Sequence, residues 1–363
     1  MSVRIESLTT AAYTVPTEGG PESDGTLVWD STTMVVVEAA GGGERGLGFS
    51  YTHRAAALLV DDLLAPLVTG GDALAPGAAF ARMREATRNL GQPGLAACAV
   101  SAVDVALWDL KTRLLETSLV DLLGPVREAV PVYGSGGFTS LSVEALGEQL
   151  AGWIAAGIPR VKMKIGRQPA DDPARVAAAR RAIGPEAELF VDANGAYTRR
   201  QALAMAERFA ADGVSWFEEP VLSDDVDGLR WLRDRAPAGV EIAAGEYGWR
   251  LVDFERLLAA GAVDVLQPDA TRCGGVTGFL AAAGLCTAHH TPASAHTAPA
   301  LHAHLGCACP PVRHVECFHD HVRIERMFFD GLPELVDGAL RPDRSRPGHG
   351  LELRRADVER WRM

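Results

Sequence analysis

Asp192, Glu218 and Glu246 close three successive β-rich segments, FVDANG, WFEEP and IAAGE. Three converging carboxylates without cysteine or histidine make a hard oxygen site, which suits Mg²⁺ far better than Zn²⁺. Within WFEEP the spacing does not choose between Glu218 and Glu219. Alternation along a strand turns them to opposite sides, so one ligand is expected from the pair.

Lys162 and Lys164 stand two apart in PRVKMKIG and share one strand face. An interior ammonium is costly unless carboxylates or a metal lie beside it. Two neighbouring cations and a divalent metal would lower a lysine pKa and leave a neutral amine to act as a base. Asp269 in LQPDA and His296 in ASAH end later segments. A carboxylate bonded to one ring nitrogen fixes the tautomer and frees the other nitrogen to move a proton. Glu316 in HVECF is the last of the series. In a dry setting its carboxyl is expected to stay protonated and to donate to a developing enolate oxygen.

These residues need a scaffold that brings strand ends together. From Val130 onward short β-rich segments (VPVYG, PRVKMKI, LFVDANG, VSWFEEP, VEIAAGE, DVLQPDA, PASAH, RHVECF) alternate with Ala-rich helical ones. Positions 164, 192, 218, 246, 269, 296 and 316 are spaced by 28, 26, 28, 23, 27 and 20 residues, about one βα unit each. In a (β/α)₈ barrel, functional groups sit at the C-terminal ends of the strands. An open doubly wound sheet would not gather seven strand ends, and no GxGxxG opens a βα turn. The expected fold is therefore an α/β, TIM-like (β/α)₈-type barrel over 126–325. An α+β capping domain over 1–125 precedes it, and a tail over 326–363 returns to the cap.

In the first part, TMVVVEA (Thr33–Ala39) reads as a strand and Gly94–Leu115 as a helix. The polar loop Thr17–Thr26 and the segment Phe49–Arg54 are candidates to meet a substrate, through Tyr51, His53 and Arg54 in the second. Their polar composition leans towards a hydroxylated substrate over an aryl one.

The formal charge of −12 argues against a nucleic-acid partner, which needs a basic face. No apolar stretch approaches the length of a membrane span and no secretory signal is visible, so neither a membrane nor export is expected. Six scattered cysteines without a CxxC pair read as buried thiols of a cytoplasmic protein.

Taken together, Lys162-x-Lys164, Asp192-x-Asn194, Glu218-Glu219-Pro220, Gly245-Glu246, Asp269 with Gly274-Gly275, His296 and Glu316 resemble the enolase superfamily, mandelate racemase subgroup. The resemblance spans essentially the whole chain. It implies Asp192, Glu218 and Glu246 as Mg²⁺ ligands. It implies Lys164 as the base on one face, with Lys162 beside it on the substrate carboxylate. The His296–Asp269 dyad would be the acid/base on the other face and Glu316 an electrophilic carboxyl. Asn194, two residues after Asp192, joins Tyr51 and His53 of the cap segment as an expected substrate contact. The use of a Lys or His base with Mg²⁺ to stabilise an enediolate is the general pattern of that superfamily. The expected reaction is removal of the proton α to a carboxylate of a small substrate, leading to dehydration of an acid sugar. Racemisation or epimerisation of a 2-hydroxy acid is the alternative, and a non-catalytic binding barrel is the reading from another class. A homo-oligomer is expected.

Overall fold

The structure, a computed structural model, describes residues 2–363. Its first sheet joins β1 (Ser7–Pro16), β4 (Ser31–Gly41) and β5 (Glu44–Tyr51), all antiparallel. Between them β2 (Glu22–Ser23) and β3 (Val28–Trp29) form a small hairpin. The unbroken apolar run of β4 is explained by burial on both faces. Val35, Val37 and Ala39 pack against helices, while Met34 and Val36 join the larger core with Phe49 and Tyr51.

The cap helices are α1 (Ala55–Leu59), α2 (Ala65–Val68), α3 (Pro76–Ala86), α4 (Leu95–Leu114) and α5 (Leu119–Leu123). A π-helical turn, Val60–Leu64, separates the first two. Helix α4 lies almost in contact with β5. A Cβ at Gly46 would stand 2.2 Å from the Ala106 carbonyl oxygen, and one at Gly48 2.1 Å from that of Ala102. Small residues on both elements permit this approach.

Eight parallel strands then close a barrel: β6 (Val130–Gly136), β7 (Arg160–Lys164), β8 (Glu188–Asp192), β9 (Val214–Glu218), β10 (Glu241–Ala244), β11 (Val265–Leu266), β12 (Ala293–Ala295) and β13 (Val312–Phe318). Strand β13 pairs with β6, which removes every edge. A helix follows each strand: α6 (Val143–Ala155), α7 (Asp172–Ile183), α8 (Arg199–Ala211), α9 (Val226–Arg233), α10 (Leu251–Ala259), α11 (Gly275–Ala288), α12 (Pro299–Ala308) and α13 (His319–Phe328). Several start on the expected signals. Ser142 caps α6, and Thr198 with Gln201 forms a capping box on α8. Inside the barrel, Tyr133, Phe190 and Trp216 form an aromatic tier, with His314 packed against all three rings.

Helix α13 runs across the 325/326 divide expected from the loss of alternation. The tail beyond it has four short strands, β14 (Phe329–Asp330), β15 (Glu334–Val336), β16 (Ala339–Arg341) and β17 (Glu352–Leu353). Strand β16 pairs antiparallel with the start of β6, at the N-terminal end of the barrel. Further on, the His349 ring bonds the Leu47 carbonyl and Met363 N–H donates to the Ala12 carbonyl. The tail thus touches both barrel and cap. Among the described residues no helix is long and apolar enough to cross a membrane.

Candidate active site

Lys164, Asp192 and Glu218 are the last residues of β7, β8 and β9 and stand level in register. Strand β10 stops at Ala244, and Glu246 follows Gly245, whose φ of +144° and close approach to Gln267 exclude a side chain. Asp269 lies three residues past β11, His296 directly after β12, and Glu316 inside β13. All are buried.

One potential ligand atom from each of Asp192, Glu218 and Glu246 lies within 4.8 Å of the others. Glu246 Oε2 has no hydrogen bond, although His296 Nε2 stands 3.3 Å away. Burial and the neighbouring Asp192 push the Glu218 carboxyl up. Among the described residues, six buried carboxyl groups, these three with Glu219, Asp269 and Glu316, face only Lys162, Lys164 and Arg272 as permanent cations. An all-oxygen donor set, an unbonded oxygen and surplus negative charge all fit a divalent hard cation.

Glu218 is held from beneath. Trp216 Nε1 donates to its Oε2 at 3.1 Å and Gln267 Nε2 donates to the same atom at 2.7 Å. Lys162 Nζ reaches Glu218 at 2.7 Å, Glu316 at 2.9 Å and Asp192 at 3.6 Å. Lys164 Nζ donates to Asp192 Oδ2 at 2.5 Å. At the other end His296 Nδ1 pairs with Asp269 Oδ2 at 2.9 Å, and Asp269 Oδ1 accepts from Thr271 N–H and Oγ1. The row of three carboxylates therefore meets Lys164 at Asp192 and His296 at Glu246.

The charges of Lys164 and Glu316 follow from their protein neighbours. Burial alone would lower Lys164, but Asp192 foremost, then Glu246 and Glu218, outweigh burial and the Lys162 charge and hold it above the ordinary lysine range. It becomes a neutral base only when those carboxylates are balanced by other positive charge. Glu316 is likewise not held protonated. Burial pushes it up, but the Lys162 ammonium, then His296, bring it down to about 2. It is the counter-ion of Lys162, and its Oε2 accepts from Thr297 N–H. His296 is raised to about 9, because Glu246 and the bond to Asp269 outweigh burial.

The substrate-contact candidates divide. Asn194, in a left-handed conformation with an unbonded Oδ1, lines a cavity of about 600 Å³ together with Glu219, Gly245, Tyr247, Trp249 and Leu27. That cavity lies beside the carboxylate row and is not lined by Lys164 or His296. Tyr51 is buried and stacked on His321, with ring centroids 3.4 Å apart. His53 is exposed, and its Nδ1 accepts from Ala55 N–H at the start of α1. Loop composition made both candidates to meet a substrate, and in the structure one ring is stacked while the other bonds a backbone N–H. Neither lines the cavity. Glu219 also departs from simple alternation. Its φ of +37° breaks the strand, and its carboxyl stays buried with Oε1 unbonded.

Sequence reasoning missed Trp216, Gln267 and Arg272. Trp216 lies two residues before Glu218, a spacing that shares a face on a strand, and Gln267 directly follows the end of β11. Arg272 approaches both Glu246 and Asp269, at 3.4 and 3.5 Å, and lies over the Tyr247 and Trp249 rings.

Residues 145–358 match the enolase C-terminal domain-like family, and residues 17–124 match the mandelate racemase/muconate lactonizing enzyme N-terminal domain. The chain is 33% identical to the L-talarate/galactarate dehydratase of Salmonella typhimurium over 309 residues, 82% of this chain and 75% of that protein. It is 33% identical to the 3,6-anhydro-alpha-L-galactonate cycloisomerase of Streptomyces coelicolor over 368 residues, 98% of each. Among solved structures, a mandelate racemase/muconate lactonizing enzyme-like protein from Rubrobacter xylanophilus superposes with a TM-score of 0.97 at 57% identity, covering 99% of this chain and 100% of that one. A racemase from Streptomyces coelicolor with bound magnesium gives 0.92 at 32%, with the same coverage.

Proposed function

The chain belongs to the mandelate racemase/muconate lactonizing enzyme family of the enolase superfamily and is a Mg²⁺-dependent enzyme, and we propose that it dehydrates an acid sugar to a 2-keto-3-deoxy acid. The observation that carries this reading is the placement of a lysine at one end of the carboxylate row and a histidine at the other. A substrate lying across the row has one proton-transfer group on each face.

In this reading Asp192, Glu218 and Glu246 hold Mg²⁺, which supplies a Lewis acid for the substrate carboxylate. Lys164 takes the α-proton. Lys162, between Glu218 and Glu316, offsets the charge that develops on the substrate carboxylate, a preorganised electrostatic contribution. Glu316 keeps Lys162 in place. His296, oriented through Nδ1 by Asp269, gives the proton from Nε2 to the β-hydroxyl as its C–O bond breaks, so water leaves and the enol becomes the 2-keto acid. Asn194 is assigned to the substrate, with Tyr51 and His53 kept as candidate contacts of the cap.

The dehydratase and cycloisomerase relatives support a hydroxylated, carboxylate-bearing substrate. Racemisation or epimerisation of a 2-hydroxy acid is the second reading, favoured by proton carriers at both ends of the row. Residues 1–125 would then cover the mouth, 126–325 carry the reacting groups and 326–363 fasten the two. We assign a cytoplasmic setting and a homo-oligomeric assembly to the same reading; the six buried free thiols accord with the former.

The test is a panel of acid sugars with Mg²⁺, reading 2-keto-3-deoxy product and α-proton exchange in D₂O. Product is expected, and Lys164→Ala and His296→Asn should each lower its formation by about 10²–10⁴-fold. Exchange without product would establish the racemase or epimerase reading. Unchanged turnover in both variants would sink the assignment of the two bases.

A further inference from the structure

His302 lies on α12, fully buried, and belongs to none of the groups assigned a chemical step. Its ring makes two bonds, each to the backbone next to a member of the dyad. Nδ1 donates to the carbonyl of Thr297, the residue after His296, at 2.7 Å. Nε2 accepts from the N–H of Ala270, the residue after Asp269, at 3.0 Å. A carbonyl can only accept and an amide N–H can only donate. The two partners therefore fix His302 as a neutral imidazole with its proton on Nδ1. Burial, its largest influence, also pushes the ring towards the neutral form.

The loop held in this way is strained. Thr297 and Ala298 have φ of +51° and +40°, a left-handed conformation disfavoured for non-glycine residues. Such a turn persists only where its peptides are pinned. Thr297 N–H is taken by Glu316, Ala298 N–H by His321, and the Thr297 carbonyl by His302. On the near side of the dyad, His296 N–H donates to the Pro268 carbonyl. The two segments are thus tied once just before the Asp269–His296 pair and once, through His302, just after it.

We propose that His302 is a positioning residue that clasps the chain behind Asp269 and behind His296 and so keeps His296 Nε2 aimed at the reacting face. The inference rests on the reading of His296 as the proton carrier of that face.

The test uses the full chain loaded with Mg²⁺. Nitrogen NMR of labelled histidines should find His302 neutral, with its proton on Nδ1, from about pH 6 to about pH 8. A proton on Nε2 overturns the clasp, and this measurement needs no variant to fold. His302→Phe is then compared with His302→Gln, whose amide retains a donor and an acceptor. On the acid sugar turned over fastest in the panel, dehydration, which needs His296 as the acid, is followed beside α-proton exchange in D₂O, which needs Lys164. His302→Phe should lower kcat of dehydration by about 10–100-fold with KM nearly unchanged, and His302→Gln should restore part of it. Exchange at Lys164 should stay within about twofold. Equal loss of both, or no loss, overturns the proposal. Should His296→Asn leave dehydration intact, the failure belongs to the underlying reading of His296 and not to the clasp.

Discussion

Lys162 and Lys164 share a strand face, yet their surroundings differ enough to separate their roles. Lys162 answers three carboxylates and is wholly buried, while Lys164 answers Asp192 alone at bonding distance. Lys162→Met leaves Glu218 and Glu316 without their cation, a change that costs about 3–5 kcal/mol in buried pairs. Lys164→Met should cost less, since Asp192 keeps Lys162 at 3.6 Å. Both variants should lose turnover; urea unfolding should single out Lys162→Met, and equal destabilisation would contradict the assignment. Residues of this sort were legible because acids, lysines and histidines at strand ends announce chemistry by type. Trp216 and Gln267 were not, since an indole in a strand or an amide just after one reads as packing until the carboxylate it serves is located. The charge states of Lys164 and Glu316 were also illegible. They depend on distances to several neighbours, and spacing alone supplies none of these.

At the scale of elements, the strand–helix alternation was readable because each β-rich segment is short and each Ala-rich stretch follows it directly. What could not be read is how the loop between β1 and β4 meets the barrel. Gly25 settles that contact: a Cβ there would stand 2.3 Å from the Ala193 carbonyl oxygen and 2.7 Å from that of Ile165, so the loop lies directly on the ends of β8 and β7. Beside it Glu22 is buried, accepting from Trp29 Nε1. Burial and the neighbouring Asp320 push its carboxyl up to about 8. Its pKa in the docked loop lies above the ordinary value of 4.5. The contribution to docking is therefore full below that value and is lost as pH rises through about 8. Hydrogen exchange across residues 17–29, corrected for intrinsic rate, should report more frequent opening at alkaline pH. Glu22→Gln should flatten this dependence, and an unchanged slope in that variant would remove Glu22 as its source.

For the whole molecule, the question is how far the cap, barrel and tail behave as one unit. Asp109 on α4 is a junction: it accepts from Leu47 N–H of β5, from His349 N–H of the tail and from Arg113, which also reaches Glu352. The return of the tail to the cap was expected, but its junction was not legible in the sequence, where the tail carries no period and Asp109 is one acid on a long helix. Mg²⁺ should act at a different place, tying together β8, β9 and the segment after β10. Ligand bound only to the folded state contributes about 2.7 kcal/mol at a hundredfold excess over Kd. For a chain of this length that amounts to a rise in Tm of about 3–4 °C. Asp192→Asn, Glu218→Gln and Glu246→Gln should each lose this increment in calorimetry. Asp109→Ala should lower Tm with and without Mg²⁺ yet keep the increment, because the junction and the carboxylate row share no residue. If Asp109→Ala instead abolished the response to Mg²⁺, the cap–tail junction would have to be part of the metal site's support, and the separation between scaffold and chemistry argued from these contacts would fail.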